Sequence, residues 1–295
     1  MTDSEQLKVS GTDTLQRFMA YYQMWYTPEQ LLSLKQPATR AALVLRGSEH
    51  ACQSKPLTWY PTAWQLESGM AVDANASDYY VLNPASLLPI LALDPQPGEA
   101  IADICAAPGG KSIAIAARMN FQGRLLASDL SGDRIKRVSY NFHRLQIPQA
   151  SDTWNLQLLH ASGNLLTQQF SGQFDKVLVD APCSSEAHVL TDRKELKKWS
   201  SSKSSLLAKR QRKLIQSAIK LLRPGGRLVY STCSISPLEN QGVIEFMLKK
   251  FSGQLQYVPW ISPVGKALEL GLSVLPWETG MGPGYVCVLE KCSDF

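Results

Sequence analysis

From residue 100 onward, short apolar runs alternate with segments of helical spacing. Buried strands are predicted at 100–105, 124–129, 156–161, 176–180, 227–232 and 284–290. Helices are predicted from about Asp133 to Leu145, from about Leu206 to Leu222 and from Glu239 to Lys250. Strands that alternate with helices build right-handed β-α-β units. The pattern therefore predicts an α/β fold with a mostly parallel sheet.

The first 70 residues show a different pattern. Residues 15–26 (LQRFMAYYQMWY) and 29–35 (EQLLSLK) have helical character, and the stretches that follow them are irregular. We expect two domains: a small, mainly helical region over residues 1–70, and a larger domain over residues 71–295 that carries the chemistry.

Length and composition agree with this division. The chain has 295 residues, 44% of them hydrophobic, and seven tryptophans, which is enough to bury a substantial core. Its N-terminus is polar without a signal-peptide pattern, and no run approaches the roughly 18 apolar residues that a membrane helix needs. We expect a soluble cytoplasmic protein without a membrane partner, with the mitochondrial matrix as the alternative compartment.

Six cysteines are present, and none forms a CxxC pair or a Cys/His spacing typical of zinc. We therefore predict no metal site. In a reducing compartment free thiols are expected, and a free cysteine is ordinarily a small core residue. The six are Cys52, Cys105, Cys183, Cys233, Cys287 and Cys292.

The net charge of +5 is modest, but the basic residues cluster. Between residues 193 and 213, nine of the 30 Lys and Arg stand against one acid, Glu195. Such a cluster suits a polyanion, because phosphate contacts supply much of nucleic-acid affinity. A solvated loop and helix face is the equal alternative. The nine are Arg193, Lys194, Lys197, Lys198, Lys203, Lys209, Arg210, Arg212 and Lys213.

Two of the predicted strands end next to a cysteine. Asp180 ends the run at 176–180 and Cys183 follows it, while Cys233 follows the run at 227–232. In open parallel sheets, ligands bind beyond the carboxyl ends of the strands, so we expect these three residues to share a site.

These three residues match the needs of pyrimidine C5 methylation. A thiolate that adds to C6 makes C5 nucleophilic, a carboxyl group at N3 stabilises the adduct, and a further group assists release. Spacing leaves the roles of Cys183 and Cys233 open, because each thiol, with an ordinary pKa of about 8.5, needs local activation.

The loop DICAAPGGKS (103–112) stands where the first of these strands turns into a helix. Gly109 and Gly110 permit close backbone approach to a ligand. The dinucleotide pattern GxGxxG is absent, and a Walker loop lacks its leading glycine. S-adenosylmethionine is the remaining candidate, since Asp129 ends the second strand where a ribose-binding acid belongs. A helix N-cap is the alternative role of Asp129.

Four segments in order resemble successive motifs of the Sun-type (NSUN/RsmB-like) RNA cytosine-5 methyltransferases. They are ADICAAPGGKS, ASDLSGDRI, VLVDAPCSS and RPGGRLVYSTCSISPLENQGVI. The similarity covers about residues 78–250 and is nearest to small members that act on organellar ribosomal or transfer RNA. It implies a Rossmann-like class I methyltransferase fold with a seven-stranded sheet and helices on both faces. It also implies S-adenosylmethionine as cofactor and methyl transfer to a cytosine in rRNA or tRNA through a cysteine adduct at C6.

The resemblance also assigns roles to residues. Cys233 is the implied nucleophile and Cys183 assists product release, although DNA cytosine methyltransferases use a proline-cysteine thiol, which keeps Cys183 as the second candidate. Asp180 reaches the base and the cofactor. Asp129 holds the ribose, with Arg134 nearby. The loop that wraps the methionine end comprises Cys105, Ala106, Ala107, Pro108, Gly109, Gly110 and Lys111.

The chain departs from the family pattern in two places. Ser162 stands where the family usually has an acid facing the adenine, so its hydroxyl keeps at most one hydrogen bond there. Residues 38–48 only loosely resemble the family's RNA-binding segment. We expect the N-terminal region to contact RNA, an accessory RNA-binding protein as a further partner, and a monomer.

Two further side chains have open roles. His188 is expected to be an ordinary loop histidine rather than a proton-transfer group. Trp199, among lysines, is expected either to stack on RNA or to lie in a solvated loop.

Two rival functions are weighed against the enzyme. A non-catalytic RNA-binding or ribosome-assembly factor could retain the same fold. A methyltransferase for an adenine amino group or a protein is disfavoured, because DAPCSS lacks the aromatic residue typical of such enzymes and an amino nitrogen needs no thiol.

Overall fold

The computed structural model describes residues 14–45, 55–73 and 75–293. The helices are α1 (residues 14–22), α2 (Pro28–Ser33), α3 (Leu88–Leu93), α4 (Gly110–Arg118), α5 (Gly132–Arg144), α6 (Gly163–Phe170), α7 (Glu186–Thr191), α8 (Arg193–Lys197), α9 (Ser202–Leu221), α10 (Gln241–Lys250) and α11 (Pro276–Thr279). The strands are β1 (Arg40–Val44), β2 (Pro56–Leu57), β3 (Tyr60–Leu66), β4 (Tyr79–Leu82), β5 (Ala100–Asp103), β6 (Gly123–Asp129), β7 (Trp154–His160), β8 (Phe174–Asp180), β9 (Leu222–Thr232), β10 (Leu255–Tyr257), β11 (Lys266–Ala267), β12 (Leu272–Val274) and β13 (Gly284–Lys291).

The large sheet confirms the predicted Rossmann-like α/β fold. Its order is β11-β12-β13-β9-β8-β5-β6-β7, and the run from β9 to β7 is parallel throughout. The described part of this sheet has nine strands rather than the expected seven. Short β10 and β12 both pair antiparallel with β13, at different stretches of that strand, and β11 extends the edge.

Helices cover both faces of the sheet, as predicted. Successive strand residues point to opposite faces, so neighbours such as Ile101 and Ala102 enter different apolar clusters. The first cluster holds residues of α3, α4 and α5, and the second holds residues of α6, α9 and α10. This sandwich fixes the strand ends, where the loops that carry chemistry begin.

Among the described residues of the N-terminal region helices do not predominate, so the expectation of a mainly helical region is wrong for this part. The helices α1 and α2 lie where helical character was predicted, but β1 to β4 form an antiparallel sheet in the order β2-β3-β1-β4. These strands are short, and prolines at 56 and 61 weakened their signal. The boundary predicted after residue 70 falls between β3 and β4, which both pair with β1. The division into two domains stays a prediction.

Helix α1 packs against the segment that follows the first cysteine loop. Phe18 and Tyr22 of α1 lie in one apolar cluster with Val189 of α7 and with Trp199. Trp199 is 4% exposed, so it neither stacks on RNA nor lies in a solvated loop, and both expectations are wrong. Across the part of the chain that the structure covers, no helix combines the length and apolar character needed to cross a membrane.

Candidate active site

The two cysteine loops leave neighbouring parallel strands at the same edge of the sheet. Asp180 ends β8 and pairs in register with Ser231 of β9, which ends at Thr232. This register brings the Sγ atoms of Cys183 and Cys233 to 3.0 Å, although 50 residues separate them. The Oγ of Ser185 lies 3.1 Å from the Cys233 sulfur. The predicted convergence of the two thiols is therefore present in the structure.

The electrostatic environment distinguishes the two thiols. The hydrogen bond with Cys183 lowers the pKa of Cys233, and the Ser185 hydroxyl adds to this effect against the opposing influence of burial. The same bond, followed by burial, raises the pKa of Cys183. These directions favour Cys183 as the donor of the hydrogen bond and Cys233 as its acceptor. This asymmetry favours Cys233 as the nucleophile.

The carboxylate of Asp180 accepts one hydrogen bond on each of its two oxygens. Lys111 Nζ lies 2.7 Å from Asp180 Oδ2, and the Ser231 hydroxyl donates to Oδ1 at 2.7 Å. Burial alone would lower the pKa of Lys111, but the charge and hydrogen bond of Asp180 outweigh it and raise that pKa. Sequence reasoning placed Lys111 in the cofactor loop and missed this ion pair, because the two residues lie 69 positions apart.

A cavity of about 360 Å³ connects Cys233 with the Lys111–Asp180 pair, and its wall also includes Ser185 and His188. Cys183 does not line this cavity and reaches it only through its contact with Cys233. The volume lies within the range of small-molecule sites, so a ring of nucleobase size fits beside the thiol and the carboxylate. His188 therefore lines the site, although it was expected to be an ordinary loop residue.

The glycine loop lies beside this cavity at the start of α4. Gly109 has a φ of 113°, a conformation that favours glycine. A Cβ on Gly110 would lie 2.7 Å from the ring of Tyr80, so β4 packs directly on the loop. The buried Asp103 accepts hydrogen bonds from the Ser112 hydroxyl and the Cys105 amide, which anchor the loop from below. Burial raises the pKa of Asp103 to about 7.

A second cavity, of about 910 Å³, opens at the ends of β6 and β7. Asp129 and Ser162 line it together with Cys105, and so does Arg134, which bridges Asp129 and the carbonyl of Ala107. Asp129 Oδ2 is buried, and its one contact among the described residues is the ion pair with Arg134 at 3.2 Å. This oxygen is available to accept a hydrogen bond from a ribose hydroxyl, which fits an adenosyl cofactor.

The helix-cap roles fall to serines rather than to Asp129. Ser131 caps α5 by accepting a hydrogen bond from the Arg134 amide, so the N-cap alternative for Asp129 is wrong. Ser162 caps α6 through the Leu165 amide at 3.3 Å, and its hydroxyl is therefore already engaged.

The remaining predicted features lie outside the thiol site. Cys105 and Cys287 are buried in the core, and burial raises the pKa of Cys287 to about 12. Cys292 is exposed beyond β13, and Cys52 lies outside the described residues. Arg210 and Lys213 of the basic cluster are exposed and line the larger cavity, and the role of the cluster as a polyanion contact stays a prediction.

Sequence reasoning missed two glutamates behind the thiols. Glu186 and Glu239 have no exposed surface and contact Ser184, the residue that follows Cys183. Each acid follows one cysteine at a short distance in its own loop, a signal visible in the sequence. Nothing local showed that the two acids meet.

The chain matches one protein family over most of its length. The profile described as 16S rRNA methyltransferase RsmB/F matches residues 90–290. Ribosomal RNA small subunit methyltransferase F of Klebsiella pneumoniae is 36% identical over 222 residues, and its counterpart in Escherichia coli O139:H28 is 38% identical over 214 residues. These matches cover 68% and 69% of this chain but 45% and 43% of the relatives. The chain thus matches less than half the length of these curated relatives.

Two solved structures from Pyrococcus horikoshii share the architecture. A methyltransferase homolog protein has a TM-score of 0.77 and 25% identity, over 99% of this chain and 100% of its own. NSun6, solved with SFG, has a TM-score of 0.66 and 27% identity, over 79% of this chain and 58% of its own. The likeness to the first of these spans the N-terminal region as well as the large sheet.

Proposed function

The chain belongs to the RsmB/F family of 16S rRNA methyltransferases, and from this premise we propose that it methylates C5 of a cytosine in structured RNA, either rRNA or tRNA. S-adenosylmethionine is the proposed methyl donor and RNA the proposed partner. SFG, present in the NSun6 structure, is an analogue of this donor. The activity, the substrate and the partner are inferred for this chain from its family and from its own site.

The residues of the two cavities fit this cofactor. When bound, S-adenosylmethionine supplies an electrophilic methyl group. Asp129 is placed to accept a ribose hydroxyl on Oδ2, which is paired with Arg134 but has no hydrogen bond among the described residues, and Arg134 fixes that carboxylate against the loop. The loop from Cys105 to Lys111 lies between the ribose site and the thiol cavity, where the methionine end belongs.

The chemistry assigned to the chain starts at Cys233. Its thiolate adds to C6 of the flipped-out cytosine, which places electron density on C5 and N3. Asp180, oriented by Lys111 and Ser231, holds the N3 edge of the base. After C5 has gained the methyl group, a base takes the C5 proton, the C5–C6 double bond forms again, and the C6–sulfur bond breaks to return the thiolate of Cys233. The Cys183 thiol, 3.0 Å from that sulfur, is placed to assist this release by donating a hydrogen bond to the departing thiolate.

The observation that carries the proposal is the shared cavity. Two thiols from different loops lie in contact, and Cys233 faces the same cavity as a carboxylate held by a lysine. A thiol pair in a packed interior would be inert, whereas this pair has one sulfur exposed to solvent.

Single substitutions of the two cysteines test the proposal. We expect Cys183→Ala, incubated with transcripts of 16S rRNA and tRNA and with methyl donor, to accumulate a covalent protein–RNA adduct on denaturing gels. Cys233→Ala should form none. An adduct retained in Cys233→Ala would reverse the assignment of the thiols. Absence of both methyl transfer and cofactor binding at millimolar cofactor in the unsubstituted chain would favour the non-catalytic assembly factor.

A further inference from the structure

The loops that carry the two thiols are joined from behind by a buried polar cluster. Ser184 follows Cys183 and Ser234 follows Cys233, and their hydroxyl oxygens lie 3.1 Å apart. The Ser184 hydroxyl also contacts Oε1 of both Glu186 and Glu239. Since neither glutamate has exposed surface, every hydrogen bond in this cluster must be satisfied within the protein.

Glu186 has the environment of an ionised carboxylate. Its Oε1 accepts hydrogen bonds from the Tyr22 hydroxyl at 2.6 Å and from the Ser234 hydroxyl at 2.9 Å, in addition to Ser184. Its Oε2 accepts from the Ile235 amide at 3.1 Å. Donors thus face both oxygens of Glu186, an arrangement that suits an acceptor-only carboxylate.

Glu239 has the environment of a neutral acid. Its Oε2 accepts from the Ser184 amide at 3.0 Å and from the Gln211 side chain at 2.8 Å. Its Oε1 faces the Ser184 hydroxyl, which also contacts Glu186 Oε1 and has a single proton for the two carboxyl groups. The Ser234 hydroxyl lies 3.4 Å from the same Oε1 but closer to Glu186. When Ser184 directs its proton to Glu186, the contact with Glu239 is attractive if Oε1 of Glu239 carries a proton and donates it to Ser184. Burial, followed by the charge of Glu186, raises the pKa of Glu239, which agrees with a proton on this carboxyl group.

From this geometry we propose that Glu186 and Glu239 are positioning residues that share one proton through Ser184 and hold Cys183 and Cys233 at hydrogen-bonding distance. The consequence for catalysis rests on the function proposed above, whereas the effect on the thiols does not. If the cluster opens, the loops separate and Cys233 loses the donor that stabilises its thiolate.

The reactivity of Cys233 reports on this arrangement without RNA or cofactor. We would measure iodoacetamide modification of Cys233 against pH in the full chain under a phosphine reductant, and resolve the two cysteines by peptide mass mapping. The other titratable groups that face the glutamates are Tyr21, Tyr22, Tyr26 and Tyr230, and burial raises the pKa of each. On the cavity side, Cys233 itself faces Lys111, Asp180 and Cys183.

The decisive comparison is between two isosteric variants. In Glu239→Gln the amide donates to Ser184 and its carbonyl still accepts from Gln211, so we expect the Cys233 profile to stay within about 0.3 pH units of the unsubstituted chain. In Glu186→Gln the amide group meets donors on both sides, so we expect the midpoint to rise by about one pH unit. Glu245→Gln, on the exposed face of α10, is the matched control.

Each outcome decides the proposal. A Glu239→Gln profile shifted as far as that of Glu186→Gln would overturn the shared proton, and two unshifted profiles would overturn the positioning role. If Glu186→Gln does not fold by circular dichroism, Ser184→Ala replaces it, because this variant removes the bridge and keeps both acids. An unshifted Ser184→Ala would then refute the proposal. These readings hold even if the chain proves to transfer no methyl group.

Discussion

Two pairs of ionisable side chains flank the thiols, and they differ in charge and in exposure to solvent. In front, Lys111 and Asp180 carry opposite charges, are 18% and 29% exposed, and line the cavity. Behind, Glu186 and Glu239 carry the same kind of group and have no exposed surface. The front pair can therefore exchange a partner with a ligand, whereas the rear pair is fixed by hydrogen bonds within the protein.

This difference indicates that the Lys111–Asp180 pair serves the chemistry and that the two glutamates support the loops. An ion pair that is open to the cavity leaves its carboxyl group accessible, so that group can contact a base. Two buried carboxylates cannot both be ionised without strong repulsion, and they become tolerable by sharing a proton and satisfying every donor. Asp180 ends β8, and Glu186 and Glu239 lie in the segments that follow β8 and β9. The ends of these two strands therefore carry a reactive group on one side and the supporting glutamates on the other.

The largest expected effect comes from replacing the carboxyl group of Asp180, on the cavity side of the thiols. Asp180→Asn keeps the acceptor for Ser231 but lacks the carboxylate that holds the base. We expect the single-turnover methylation rate to fall by about a thousandfold, within the range for a general acid–base group. That loss corresponds to about 4 kcal/mol in the barrier.

The control for this prediction is stability. Asp180→Asn should lower the free energy of unfolding by about 1 to 3 kcal/mol, less than the effect on the barrier, because it leaves the largely buried Lys111 without its charged partner. A collapse in stability equal to the loss in rate would make Asp180 part of the support rather than of the chemistry.

For the glutamates behind the thiols, we expect substitution to affect the methylation barrier less than Asp180→Asn does and to act mainly on the stability of the fold. Glu239→Ala leaves the Ser184 amide and the Gln211 side chain without an acceptor. We expect a loss of about 2 to 3 kcal/mol in urea unfolding, the cost of unsatisfied buried donors. Glu239→Gln, which keeps these acceptors, should lose less than about 1 kcal/mol. Equal losses in the two variants would contradict the neutral state of Glu239.

The smallest expected effect tests whether helix α1 of the N-terminal region supports the site. Tyr22→Phe removes the hydroxyl that donates to Glu186 while leaving the ring in its apolar cluster. We expect a loss of about 1 kcal/mol in unfolding free energy, the value of one hydrogen bond, with a modest rise of the Cys233 midpoint. An exposed tyrosine, Tyr140→Phe, serves as the control. No difference between the two variants would show that α1 does not support the site.

Much of the fold followed from local pattern. The predicted helix from about Asp133 to Leu145 is α5, Gly132–Arg144, and the weak apolar run at 156–161 is β7, Trp154–His160. The parallel order of the strands placed Asp180, Cys183 and Cys233 at one edge before any distance was known. The N-terminal sheet was not predicted, because β2 has only two residues and because β1 pairs with β3 and β4, which follow it at a distance in the sequence.

The sequence by itself determined the alternation of strands and helices, the thiols at two strand ends, and the acid after the second strand, because side-chain periodicity and strand direction are local properties. The tertiary structure alone decided that the two thiols meet, that Lys111 pairs with Asp180, and that Glu186 contacts Tyr22 and is joined to Glu239 through Ser184. Tyr22 and Glu186 are 164 positions apart. Ionisation and hydrogen bonding depend on burial and on partners that only the folded chain brings together.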